Sequence, residues 1–197
     1  MLDSLLGRPG SWMARLLDAL ARALVRQGLT PNTLSYMALS FGLTAAWLFY
    51  LGHHKLALLV LVLSGLADAV DGRVARLGPG ATRWGGVLDL TFDRIVEAAV
   101  LLGIAVPHRQ WHLPALVLAC TWYVNLCVFL AIGAASEQQS EKIVPYPPGL
   151  LERSEALIFA LVVVVAPRWV PAAGYVYAAL EVATAAQRFM YGKRALQ

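Results

Sequence analysis

Six apolar stretches, each near the twenty or so residues that a helix needs to cross a bilayer, constrain this chain more than anything else in it. They are roughly residues 34–52, 55–76, 84–106, 113–132, 155–166 with its flanks, and 170–188. With 59% of 197 residues hydrophobic and 14% charged, the composition excludes an ordinary soluble domain. The expected fold is therefore all-α, a polytopic membrane protein of six transmembrane helices. The second, third and sixth stretches are marginal because polar residues interrupt them. Ahead of them, residues 11–29 alternate Trp12, Leu16, Leu17, Leu20, Ala21 and Leu24 with Arg15, Asp18, Arg22 and Arg26. That pattern predicts an amphipathic interfacial helix lying along the membrane surface, not a cleavable signal peptide. The whole reads as a single membrane domain, 1–197, with about 1–30 as the interfacial region and about 32–190 as the six-helix bundle.

Four aspartates sit where such helices tolerate them least. An acidic side chain at the centre of a spanning helix costs roughly 2.5–3.5 kcal/mol, so Asp68, Asp71, Asp89 and Asp93 together demand compensation. Asp68 and Asp71 are three apart and Asp89 and Asp93 four apart, so each pair stacks on one helix face. Residues 77–84, with Gly78, Pro79 and Gly80, form a compact turn that should make the two acidic helices antiparallel neighbours. The two pairs are then expected to meet as a four-carboxylate cage for a divalent cation. Oxygen donors suit Mg2+ or Mn2+, and no nearby Cys or His argues for zinc. Gly72, Ala75 and Arg76 continue the Asp68 face at four, seven and eight residues, adding two small residues and a guanidinium fork suited to phosphate. A phosphate-bearing substrate is the natural partner of such a groove.

The order Asp68, two residues, Asp71-Gly72, two residues, Ala75-Arg76, eight residues, Gly85, three residues, Asp89, three residues, Asp93 resembles the signature of the CDP-alcohol phosphotransferase (CDP-alcohol phosphatidyltransferase) family. These are integral-membrane enzymes that join phospholipid head groups to lipid, and all eight fixed positions are filled here. The resemblance implies transfer of a phosphatidyl group from CDP-diacylglycerol to the hydroxyl of a small polar alcohol, with release of CMP. It implies Asp68, Asp71 and Asp89 as principal metal ligands and Asp93 as the fourth carboxylate and candidate base. Gly72, Ala75, Arg76 and Gly85 would shape the nucleotide pocket with the aspartates, joined by Thr82 and by Asn32 of the Pro31-Asn32 pair that opens the first span. Arg153 and Arg188 resemble basic positions with which phosphatidylinositol-phosphate synthases hold a phosphorylated polyol. Those synthases also carry basic residues near the end of the fourth span, where this chain has AASEQQS at 134–140. The acceptor is therefore expected to be inositol phosphate or glycerol phosphate, with serine or another uncharged alcohol as the alternative. A homodimer is also implied, although no small-xxx-small face stands out in the sequence.

Basic residues set the expected orientation. With the N-terminus inside, thirteen of the sixteen Lys and Arg fall on the inner side, leaving Lys55, Arg109 and Arg168 outside. That predicts a multi-pass protein of the cell (inner or plasma) membrane, N-in and C-in, with the aspartates toward the cytoplasm. The net charge of +4 gathers on this rim, so the expected partner is anionic lipid and not nucleic acid. The six Trp read as anchors or packing. Cys120 and Cys127, roughly 10 Å apart along one helix, cannot bridge each other. His53, His54, His108 and His112 gather at the outer loops. Midmembrane carboxylates also build ion pathways, so the rival of a different class is a divalent cation transporter; it predicts acids spread over several helices, whereas here they sit on two.

Overall fold

The computed structural model describes residues 12–78, 80, 82–139 and 153–196, except for the side chains at 136–139 and 153–156. These residues form seven α-helices: α1 (Trp12–Arg26), α2 (Pro31–Tyr50), α3 (His54–Leu77), α4 (Arg83–Ala105), α5 (His112–Gln139), α6 (Arg153–Val165) and α7 (Val170–Ala195). Short 3-10 turns, Arg109–Trp111 and Pro167–Trp169, precede α5 and α7. The punctuation is local. Thr30 caps α2, its Oγ1 accepting from the Thr33 amide at 3.2 Å, and Pro31 supplies the first turn. In the turn between α3 and α4, Gly80 takes φ +95°, a backbone region that favours glycine.

The described residues are all helical, and the helices of 20 to 28 residues (α2, α3, α4, α5 and α7) measure roughly 30–42 Å at 1.5 Å per residue. One described stretch, Arg109–Ala135, is by itself long and apolar enough to cross a membrane. Of the helices around it, α3, α4 and α7 carry charge in their interiors, α2 carries Asn32, Thr33, Ser35, Ser40 and Thr44, and α6 has only 13 residues. The outward faces are nonetheless greasy, with Leu59, Leu116 and Val176 each more than half exposed, while Asp71 and Glu181 are 8% and 5% exposed. Polar groups inside and large apolar ones outside invert the soluble arrangement.

The short turn between α3 and α4 does not make them close-packed neighbours. Instead α2 packs along both, and α3 and α4 touch each other sparsely. The physical reason lies in three small residues of α2, Ala38, Gly42 and Ala46, spaced by four along one face. Gly42 receives Val96 of α4, and Ala46 lies against Gly103 so tightly that a methyl group built on Gly103 would collide with the Ala46 carbonyl oxygen. On the α3 side, Ser64 Oγ donates to the Ala38 carbonyl at 2.7 Å. A small-xxx-small face therefore exists after all, and it serves packing within this chain. Gly103→Ala is expected to destabilise the bundle by about 1–3 kcal/mol, read as a lower unfolding temperature in detergent. Gly133→Ala, where the added carbon meets nothing within 4 Å, serves as the control.

The rest of the bundle falls into place around α2. Ala45 and Phe49 share a core with Ala57 and Leu61 of α3, Ile104 of α4 and Ala160 and Val163 of α6. The α5–α7 pair forms the other half, joined through Leu118, Tyr177 and Ala178. Helix α1 lies on α3: Leu17 and Ala21 pack against Val70, Val74 and Leu34, and Asp18 pairs with Arg73 at 3.0 Å. Trp12, Leu16 and Leu20 make a second apolar stripe on α1, and it is exposed.

Candidate active site

The acidic residues converge across the opening between α3 and α4, with α2 beneath. Oxygens of Asp68, Asp71 and Asp89 all lie within 4.8 Å of one another. Asp71 is buried, and Ser35 of α2 donates its hydroxyl to Asp71 Oδ2 at 2.7 Å. Ser35 Oγ also lies 3.2 Å from the Pro31 carbonyl, so the serine is held by its own helix while it holds the carboxylate. Asp89 reaches the trio from α4 and is exposed.

Asp93 stands outside the trio. One turn further along α4, it lines a groove of about 500 Å³ together with Asp68, Asp89, Arg73, Ser35, Ser64 and Glu97. Leu61, Val62, Leu66 and Leu157 add apolar surface to the same lining. Glu97 is bound by Arg94, whose Nη2 donates to Oε1 at 2.8 Å, the plain pairing that spacing on one helix suggests.

The remaining described candidates are not among the residues that line this groove. Gly72 lies beside Arg76, a methyl group built there falling 3.8 Å from the guanidinium Nη1. Ala75 is buried and Arg76 exposed. Asn32, at the start of α2, approaches Gly85, at the start of α4: a Cβ on Gly85 would come within 3.9 Å of Asn32 Oδ1 and 3.1 Å of Thr82 Oγ1. Thr82 caps α4, its hydroxyl accepting from the Gly85 amide at 2.9 Å. Arg153 opens α6, and its side chain lies outside the described residues. Arg188 is on α7, where its Nη1 donates to Asn125 Oδ1 at 2.8 Å.

Four groups in this arrangement escape a reading of the sequence by motif. Asn125 and Glu181 have apolar neighbours on either side in sequence, a signal in itself where burial in lipid is costly, whereas Ser35 is one of several hydroxyl residues on α2. Asp18 carries no such mark, because a charge on an amphipathic helix is unremarkable until its partner Arg73 is known.

Comparison with known proteins bears on the same residues. A sequence model of the CDP-alcohol phosphatidyltransferase family matches residues 28–187, which contain Asp68, Asp71, Asp89 and Asp93. The chain belongs to this family. Among CDP-alcohol phosphatidyltransferases it is 34% identical to the archaetidylinositol phosphate synthase of Pyrococcus horikoshii over 110 residues, 55% of this chain and 58% of that one, so the match spans less than two thirds of that relative. It is 33% identical to the phosphatidylinositol phosphate synthase of Mycobacteroides abscessus over 151 residues, 75% of this chain and 67% of that one. The crystal structure of the Mycobacterium tuberculosis phosphatidylinositol phosphate synthase with CDP-DAG bound matches with a TM-score of 0.73 at 27% identity, covering 90% of this chain and 94% of that one. A structure of the same mycobacterial protein in complex with manganese and citrate matches with a TM-score of 0.72 at 29% identity, covering 89% and 88%.

Proposed function

We propose that this chain is a membrane-embedded transferase that moves the phosphatidyl group of CDP-diacylglycerol to a hydroxyl of a phosphorylated polyol, inositol phosphate in the first place, and releases CMP. The observation that carries this reading is the trio of carboxylate oxygens within 4.8 Å of one another, two of whose residues, Asp68 and Asp89, line a groove walled by polar and apolar side chains alike. A nucleotide lipid needs both kinds of surface. The names of the two relatives favour a phosphorylated inositol over serine as the acceptor.

Three oxygens so close fit a hard divalent ion, Mg2+ or Mn2+, and Asp68, Asp71 and Asp89 would hold it. When bound, such an ion supplies positive charge against the pyrophosphate and against the charge that gathers on departing CMP. Ser35 keeps the Asp71 carboxylate turned toward the trio. Gly72, Arg76, Asn32, Thr82 and Gly85 are the residues available to the nucleotide, and Arg153 and Arg188 those for the acceptor phosphate. Asp93 accepts the proton of the acceptor hydroxyl as that oxygen bonds to the β-phosphorus. The bond from this phosphorus to the bridging oxygen breaks, and CMP leaves with the electron pair.

The membrane placement that goes with this chemistry has six spans, α2 to α7, N-in and C-in in the cell membrane, with the groove facing the cytoplasm and two copies forming a homodimer. The thirteen-to-three bias of Lys and Arg supports the orientation. Helix α1 supports it too. One face packs on α3, another carries Trp12, Leu16 and Leu20, and exposed Arg15, Arg22 and Arg26 lie between headgroups and water.

The test is a panel of acceptors (inositol 1-phosphate, glycerol 3-phosphate, inositol, serine) supplied with CDP-diacylglycerol and Mg2+ and scored for CMP. Inositol 1-phosphate should give the highest turnover. CMP with none of them would sink the assignment. Within the same assay, Ser35→Ala is expected to raise the metal concentration needed for half-maximal rate by about tenfold, the usual loss when a ligating carboxylate loses the partner that orients it.

A further inference from the structure

Between α5 and α7 the bundle buries polar groups that the reaction above does not use. Asn125 and Glu181 are 9% and 5% exposed, and Thr184, one turn along α7 from Glu181, is fully buried with them. The Asn125 amide is engaged at both ends and in opposite senses: Nδ2 donates to Glu181 Oε2, and Oδ1 accepts from Arg188 Nη1 at 2.8 Å. The Arg188 guanidinium also lies over the Phe129 ring, 5.5 Å from its centroid. An uncharged amide can accept from a cation and donate to an anion at once. Its two bonds fix its own orientation, and through it the rotation of the guanidinium.

The strut is also connected to the groove. Glu181 is within electrostatic reach of Arg94 and Glu97, and Glu97 lines the groove beside Asp93. Buried polar residues in a lipid-embedded bundle are expensive, so an arrangement that spans two helices and ends on a cation suggests a task beyond holding the helices together.

We propose that Asn125, backed by Glu181, is a positioning residue that orients Arg188 toward the phosphate of the acceptor, and so sets the preference for a phosphorylated over an uncharged alcohol. This rests on the acceptor reading given above. A guanidinium free to rotate would spend binding strength on being ordered, whereas one held by a rigid amide meets the phosphate in place.

The test separates the two substrates. Asn125→Ala and the equally sized Asn125→Asp, made in the full chain, are assayed for the KM of inositol 1-phosphate and, independently, of CDP-diacylglycerol. Loss of an orienting hydrogen bond to a charged group should raise the acceptor KM by roughly ten- to hundredfold in Asn125→Ala. Asn125→Asp, whose new carboxylate competes with the acceptor phosphate for Arg188, should raise it as well and carries the test should the alanine variant not fold. The KM for CDP-diacylglycerol should stay within about twofold. An unmoved acceptor KM in a folded variant, or both KM values rising together, would overturn the inference and leave the strut a purely structural tie. If the wild-type chain turns over serine or inositol and no phosphorylated acceptor, the acceptor reading itself has failed and the inference with it.

Discussion

Asp93→Asn is expected to abolish CMP release while CDP-diacylglycerol still binds. The substitution keeps the size and shape of the side chain and removes only its ability to take a proton. A positioned general base contributes typically 10²–10⁴ in rate, so turnover should fall by about that factor. Binding should be spared because Asp93 is not among the carboxylates that converge within 4.8 Å, although it lines the same groove one turn along α4. Four aspartates at intervals of three and four can equally well be read as one cage. The way α2 separates α3 from α4 makes the last of them distinct, by leaving its carboxylate in the groove beyond the trio. Two measurements decide it: CMP release under saturating substrate, and retention of labelled CDP-diacylglycerol by the purified variant. Equal loss of both would return Asp93 to the metal.

How much of this could be read without coordinates differs by level. The helices themselves were legible, since apolar runs broken by Pro31, Gly52, Gly78 and Gly80 leave few places for a helix to begin or end, and the helix boundaries fall near those residues. The spacing of the eight signature residues likewise placed Asp68, Asp71 and Asp89 on two faces, and the fold turns those faces toward one opening. The placement of α2 was not legible. A tight turn between α3 and α4 suggests that they pack together, but the notches at Gly42 and Gly103 acquire meaning only when Val96 and Ala46 are known to fill them. Partnership over distance was equally hidden. Asn125 and Glu181 are 56 positions apart and Ser35 and Asp71 are 36 apart, and a polar residue in an apolar helix announces a need without naming what meets it. In lipid the hydrophobic pattern marks which residues cross, while polar groups and small residues decide which helices touch.

The same division predicts an unusual result for Asp71→Asn. In the wild-type chain three carboxylates crowd together and one of them is buried, which is unfavourable until a divalent ion offsets their repulsion. An asparagine at 71 removes one charge from that cluster and can still accept the Ser35 hydroxyl at the position where Asp71 Oδ2 now accepts it. Without metal, the variant should therefore unfold at the same temperature as the wild type or above it. With metal the order reverses. Wild-type protein at a hundredfold excess over its Kd for Mg2+ or Mn2+ gains about 2.7 kcal/mol, seen as a rise in unfolding temperature that chelation removes, whereas the variant should gain little and should release CMP at least about a hundredfold more slowly. A variant that is simply misfolded would lose stability in both conditions, and a variant that kept the full metal-dependent rise would mean that the ion is held without Asp71. Only a site whose carboxylates are unfavourable to the apo fold and needed by the loaded one produces a substitution that stabilises the first and deprives the second, and that crossing is the signature to look for in paired melting curves with and without chelator.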